Sequence, residues 1–200
     1  MKSIIKTTLI ILILLSDYSH SKSVNILAWV NDEIITNEDI NYQIQIKKNI
    51  LNKIIYEINL ENELLELIEK KIKEQEVKRK KITLNQKIIE NSFNTFVNQN
   101  NINLIYLDKN QHLKNLIKKE INTEILWIEL IRNTYAWKLN VNMYEIENRV
   151  NNFKKNLNDL EKKNLKNQIY LSEKNKKFKV YEKQYLNMIK KNSFIKINEK

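Results

Sequence analysis

A chain of 200 residues that contains no Gly, no Pro and no Cys has few ways to turn sharply. Without Pro and Gly nothing interrupts a helix once it has started, so helices must be begun and ended by side-chain caps. Their ends fall to Asn, which tolerates the left-handed conformation better than other non-Gly residues. A phosphate-cradling Gly loop is impossible, which removes P-loop and Rossmann readings outright. With no thiol there is neither a disulfide nor a thiolate metal site, and cysteine usage says nothing about compartment. Hydrophobic residues make up 42% of the chain and charged residues 30%. That balance supports a real core in one domain of ordinary size or two small ones. The 35 cationic residues are 32 Lys and 3 Arg, set beside 32 Asn. This is the signature of a coding bias towards Lys, Asn and Ile, so the net charge of +11 is discounted as evidence for an anionic partner.

Taken in order, residues 1–21 read as a secretory signal. Lys2 and Lys6 precede an apolar run from Leu9 to Leu15, and Ser19-His20-Ser21 offers a small-x-small cleavage site. The run is short for a transmembrane helix, and an uncleaved anchor is the alternative. Val24 to Val30, the Asn31-Asp32 turn and Glu33 to Ile35 predict a β-hairpin. Thr36 with Asp39 forms an approximate capping box for a helix from Asn37 to Ile58. A second helix is expected from Glu61 to Lys80, with Glu66–Lys70 and Glu69–Lys73 in the favourable i,i+4 orientation. The capping box Thr83-Leu-Asn-Gln86 opens a third helix to Gln99. Residues 100–110 form a connection or a single helical turn, and a fourth helix covers Gln111 to Leu139, with a candidate break at Asn122-Thr123.

Within that fourth helix, Glu120 to Leu139 is apolar around most of its circumference, so it is expected to be the central helix of the fold. Ile121, Ile125, Ile128 and Tyr135 fall on one face. Trp127, Leu130, Ile131 and Trp137 spread onto the neighbouring ones. Asn142 caps a helix from Met143 to Lys163 whose Ile146, Val150, Phe153, Leu157 and Leu160 make a packing stripe. Residues 164–177 read as polar and irregular, Phe178 to Lys191 as a last helix, and Ser193 to Ile197 as a terminal strand. The expected fold class is mainly α, with a small antiparallel sheet made by the N-terminal hairpin and the C-terminal strand.

Chemistry-bearing residues are sparse. Glu61, Glu63, Glu66 and Glu69 are read as a solvated helix face rather than catalytic carboxylates, since nothing near them in sequence suggests desolvation. His20 and His112 cannot make a zinc site between them, and His112 is read as a solvated surface residue. The run Lys78-Arg79-Lys80-Lys81 lies where it complements a helix macrodipole. No catalytic residue, cofactor-binding residue or metal ligand is expected, and no cofactor. Tyr42, Tyr56 and Phe96 fit a binding groove and a core equally well, so no individual client-binding residue is assigned.

Four stretches, in this order, resemble the SurA family of periplasmic chaperones and peptidyl-prolyl isomerases. Val30-Asn-Asp-Glu-Ile-Ile-Thr-Asn-Glu-Asp39 is similar to the family's VNDEVIT opening. Leu64 to Thr83 is similar to its L-x-x-L-I-x-x-x-L-x-x-Q-x-A helix. Leu116 to Val150 resembles the helix-cap-helix that closes its N-terminal domain, and Tyr185 to Ile197 its final helix and strand. The resemblance implies a signal at 1–21, a helical chaperone domain at 22–163, a short linker at 164–177 and a C-terminal helix and strand at 178–200 that complete the same domain. Where the family inserts Gly-rich parvulin domains, this chain has only the linker, too short to fold alone, and the connection between helices three and four lacks the family's glycine. The implied function is an ATP-independent periplasmic holdase for unfolded outer-membrane proteins, without isomerase activity and so not an enzyme. It would bind no nucleic acid and, with its signal cleaved, would not insert stably into membrane. The alternatives are a secreted basic helical protein that binds nucleic acid or anionic lipid, and a structural partner subunit.

Overall fold

A computed structural model describes residues 23–50, 58–153 and 157–198. The proposed signal, Tyr56 and the end of the first expected helix lie outside these residues. Among the described residues the chain is mainly helical, with one small antiparallel sheet. Strand β1 (Ile26–Val30) is central, flanked by β2 (Glu33–Thr36) and by β3 (Ile195–Ile197) from the far end of the chain. Val30 pairs with Glu33 across the two-residue turn, and with Ile195 on the other side. The turn works without Gly because Asn31 takes the left-handed conformation (φ 52°). Asn31 also ties three elements together. Its backbone N–H donates to Phe194 O (2.8 Å), its Oδ1 accepts from Phe194 N (2.9 Å), and its Nδ2 donates to Gln75 (2.7 Å).

Helix α1 (Asn37–Gln45) opens on the expected Thr36–Asp39 capping box and passes into a π-helical turn over Ile46–Ile50. Helix α2 (Leu60–Arg79) is capped by Asn59, whose side chain accepts from Glu61 N and Asn62 N. Helix α3 (Gln86–Gln99) starts two residues later than the Thr83 box predicts. Asn85 is the cap, accepting from Lys87 N, and this leaves Leu84 and Ile82 to pack on the core. A short α4 (Leu104–Lys109) leads into α5 (Gln111–Thr134), which runs without a break through Asn122-Thr123.

The ends of α2 and α3 show how a Gly-free chain stops a helix. Lys81 (φ 54°) and Asn101 (φ 52°) stand in the left-handed region. Ile82 N then reaches back to Val77 O, and Ile102 N to Val97 O, in Schellman closures. Each places an isoleucine against the core beside the valine whose carbonyl it caps. At Asn101 the residue suits the conformation, but Lys81 carries its steric cost.

Helix α5 is the central element, as expected, and it is covered on more than one face. Leu113 and Ile117 belong to a first core with Ile46, Phe93, Val97 and Leu107. Leu126, Trp127, Leu130 and Ile131 belong to a second with Val77 and Tyr185. Trp137, expected within the central helix, lies in the turn beyond Tyr135 and is 72% exposed. A third core, Ala28, Val30, Ile35, Ile68 and Ile72, joins the sheet to α2.

Two further expectations are corrected. The helix from Met143 to Lys163 is two helices: α6 (Met143–Phe153) and α7, which begins at Asp159. The break follows from a second capping box, in which Asn158 Oδ1 accepts from Glu161 N and Glu161 returns to Asn158 N. Residues 164–177 are not an irregular linker, because they lie inside α7, which runs 34 residues from Asp159 to Asn192. At about 1.5 Å per residue this helix is roughly 50 Å long. Its polar composition resembled a loop, but nothing in it terminates a helix.

Replacing Lys81 by Gly is expected to raise stability by about 0.5–1 kcal/mol, by relieving the left-handed strain. Urea unfolding checks this, and Asn101→Gly should bring a smaller gain.

Candidate functional site

The C-terminal half of α7 is clamped to the body by buried polar contacts. Tyr185 Oη donates to Glu76 Oε1 (2.6 Å), and Arg79 donates to both oxygens of the same carboxylate (2.7 Å each). Burial alone would raise the Glu76 carboxyl, but the hydrogen bonds from Arg79 and Tyr185 and the Arg79 charge outweigh it and hold it below its ordinary value. Burial and that carboxylate together push the Tyr185 hydroxyl well above its ordinary value. One turn earlier, Trp127 Nε1 donates to Glu182 (2.9 Å), and the ring lies 5.7 Å from Tyr185 and 5.6 Å from Lys73 Nζ. Beyond it Tyr135 stacks on Tyr181 (4.9 Å, 19° between planes).

Of the four carboxylates singled out in sequence, Glu61 is exposed, as expected, while Glu63, Glu66 and Glu69 tie α2 to other elements. Glu63, expected on a solvated face, is only 3% exposed, because the π-turn after α1 brings Lys47 over it (2.6 Å). Glu66 accepts from Lys47 too (2.7 Å). The expected i,i+4 partners are drawn elsewhere: Lys70 to Glu120, Lys73 to Glu124, and Glu69 to Lys190. A helix packed between neighbours finds better-shielded partners on them than along its own surface. Of the basic run, Lys78 pairs with Glu74 and Arg79 with Glu76. His112 is exposed, as expected, with its ring 4.6 Å from the half-buried Tyr42. Phe96 packs on the first core. Among the described residues, no group of three or more His, Asp or Glu is placed to hold a metal, and no helix is long and apolar enough to cross a membrane.

Grooves lie on two sides of α5. One, between α1, α2 and α5, is lined by Tyr42, Gln43, Leu67 and a rim of Lys70, Lys71, Glu74, Lys119, Glu120 and Glu124. Its charges neutralise one another, with Lys70 on Glu120 (2.6 Å) and Lys119 on Glu74 (2.9 Å). The other is different in kind. The N-terminal half of α7 folds back along α6, held by Arg149–Glu173 (2.8 Å) and Lys166–Glu147. Lys177 Nζ donates to Asn140 O in the turn after α5. Between this arm and the end of α5 lies an open groove of about 560 Å³.

The groove's walls follow from helix periodicity. Ile128, Arg132 and Ala136 come at steps of four from the α5 side, and Tyr170, Lys174 and Phe178 at steps of four from α7, with Leu171 and Leu139 between. Its floor is therefore aliphatic and aromatic, and Leu171 is 57% exposed on its edge. Arg132 and Lys174 are exposed on opposite walls. No carboxylate is among its lining residues, which also include Asn140 and Asn175. Trp137 follows Ala136 in the chain, its ring 4.9 Å from Lys138 Nζ.

The groove offers apolar surface, two cations and two asparagines. Sequence reading missed this site because four of its ten lining residues lie in residues 164–177. The signal was present in the Tyr170, Lys174, Phe178 spacing, once those residues are treated as helical. No protein-family model matches the chain, and no curated protein matches it.

Two outcomes are expected. Tyr185→Phe should cost about 1.5–3 kcal/mol, as a lost hydrogen bond to a buried charged group, measured by urea unfolding. Because the pKa values of Glu76, Glu66 and Glu74 are lowered in the folded state, their stabilisation is complete above their unfolded values and lost as pH falls through the folded ones. The urea midpoint should hold from neutrality to about pH 5 and then drop.

Proposed function

We propose that this protein is an ATP-independent holdase that shields unfolded polypeptides, in the manner of the SurA family it resembles in sequence, and that it acts in the periplasm on outer-membrane proteins without isomerase activity. The observation that carries the reading is the apolar groove at the base of the α6–α7 arm, with exposed Trp137, Tyr144, Leu160 and Leu171 in and around that arm. Exposed apolar side chains beside an apolar groove suit an interaction partner, and an open groove suits segments that differ in sequence. Residues 164–177, where the resemblance would put that family's isomerase insertion, lie within α7.

An anion-binding role is less well supported. Lys47, Lys70, Lys71, Lys73, Lys118, Lys119, Lys166 and Lys190 are engaged by carboxylates of this same chain. They are poorly placed to release counterions on a phosphate backbone.

The test is light scattering after a urea-unfolded outer-membrane β-barrel is diluted into moderately high salt. Suppressed aggregation at near-stoichiometric protein is the expected result. No suppression by demonstrably folded protein would remove the stand-alone holdase reading. Binding of a labelled oligonucleotide that falls steeply with added salt, with no suppression of barrel aggregation, would point instead to lysine–phosphate chemistry.

A further inference from the structure

We propose that the groove between α5 and the α6–α7 arm selects extended peptide segments in which an apolar side chain stands beside a carboxylate. This deepens the holdase reading and rests on it. Three features of the lining argue for that occupant.

The first is charge. Elsewhere on the body, cations in grooves are matched by carboxylates, as around α2. Here Arg132 and Lys174 face the same space from opposite walls with no carboxylate in the lining. Glu173, the acidic neighbour of Lys174, is engaged by Arg149 and Lys176. Two like charges across an apolar floor attract an anion, and the floor lowers the dielectric in which they do so.

The second is shape and polarity of the floor. Ile128, Leu139, Tyr170 and Phe178 offer a place for one aliphatic or aromatic side chain. Lys174 Nζ lies 5.7 Å from the Tyr170 ring, so the cation sits directly over the apolar surface. An incoming side chain and its neighbouring carboxylate are therefore bound side by side rather than at separate places.

The third feature separates a peptide from a fatty acid, which would satisfy the first two. Asn140 and Asn175 are both among the lining residues, and a primary amide can donate and accept. A peptide unit matches both functions, whereas an alkyl chain would bury them unsatisfied.

The experiment measures fluorescence anisotropy of matched labelled peptides on the full chain. One carries a Phe-Asp pair in a Gly/Ser background, one Phe-Lys and one Ser-Asp, with dodecanoate as a competitor. The Phe-Asp peptide is expected to bind roughly tenfold more tightly than either control, a difference of about 1.4 kcal/mol. In R132E/K174E, whose replaced side chains are exposed so that the fold is kept, that preference should vanish or invert towards Phe-Lys. Leu171→Asp should weaken the Phe-containing peptides.

Equal binding of Phe-Asp and Phe-Lys by the wild type would overturn the proposal. So would an unchanged preference in R132E/K174E, or displacement by dodecanoate at concentrations where Phe-Asp does not bind. The barrel-aggregation assay on the same two proteins separates the claims. Suppression by both without any peptide preference leaves the holdase reading standing and this inference refuted. No suppression by a wild type that still prefers Phe-Asp refutes the holdase reading and leaves the groove's selectivity intact.

Discussion

The hydrogen bond from Tyr185 to Glu76, with Arg79 closing on the other side of the carboxylate, is the constraint on which the rest depends. Most of the free energy around it comes from burial. Fully covered Trp127 and nearly covered Tyr185 each remove on the order of 150–250 Å² from water, about 4–6 kcal/mol gross at 25 cal/mol per Å². Apolar burial is not directional, however, and would tolerate α7 rotated or slid along α5. A buried carboxylate that is held by Arg79 of its own helix and must also accept from the Tyr185 phenol does not tolerate this, since moving the phenol away leaves a buried acceptor one partner short. The bond from Trp127 to Glu182, one turn away, repeats the restriction. Together they set the register of α7, and so decide which of its residues face outward.

That register has two consequences at opposite ends of the same helix. At its C-terminus α7 delivers Ile195 to Ile197 to the free edge of β1, where Asn31 receives Phe194. The sheet is therefore closed by the residue that also makes the hairpin turn. At its N-terminus the helix overshoots the body and folds against α6, making an arm. The groove exists because a straight, unbroken helix carries side chains from the core into the arm without a change of face: Tyr185 and Phe178 pack on the second core, while Phe178, Lys174 and Tyr170 wall the groove. Fixing the clamp thus fixes the site, with no separate element devoted to it.

Much of this was legible in the residues alone. Local chemistry announced the hairpin through Asn31-Asp32, the start of α1 through Thr36 and Asp39, and the start of α6 through Asn142. The apolar girth of Trp127 to Ile131 announced the central helix. Where reading failed, two local signals competed and a neighbour chose between them. Thr83 and Asn85 could both cap α3, and burying Ile82 and Leu84 favoured Asn85. Glu63 reads as a surface residue in its own helix and is buried only because Lys47 is carried across it. The candidate groove was hidden because each wall is unremarkable in isolation: Arg132 is one exposed residue on a long helix, and Lys174 one lysine among many.

The sequence by itself determined the class of fold. Lacking Gly, Pro and Cys, the chain could build neither phosphate loops nor disulfides, and had to stop its helices with Asn and even Lys in the left-handed conformation. Caps and apolar periodicity are short-range properties, and they are written in consecutive residues. Only the tertiary structure decided which charges are paired and which are left over. An ion pair between helices depends on distances between residues far apart in the chain, 50 positions from Lys70 to Glu120. Arg132 and Lys174 differ from the other cations in nothing but where packing put them, both lining a largely apolar groove with no carboxylate among the lining residues.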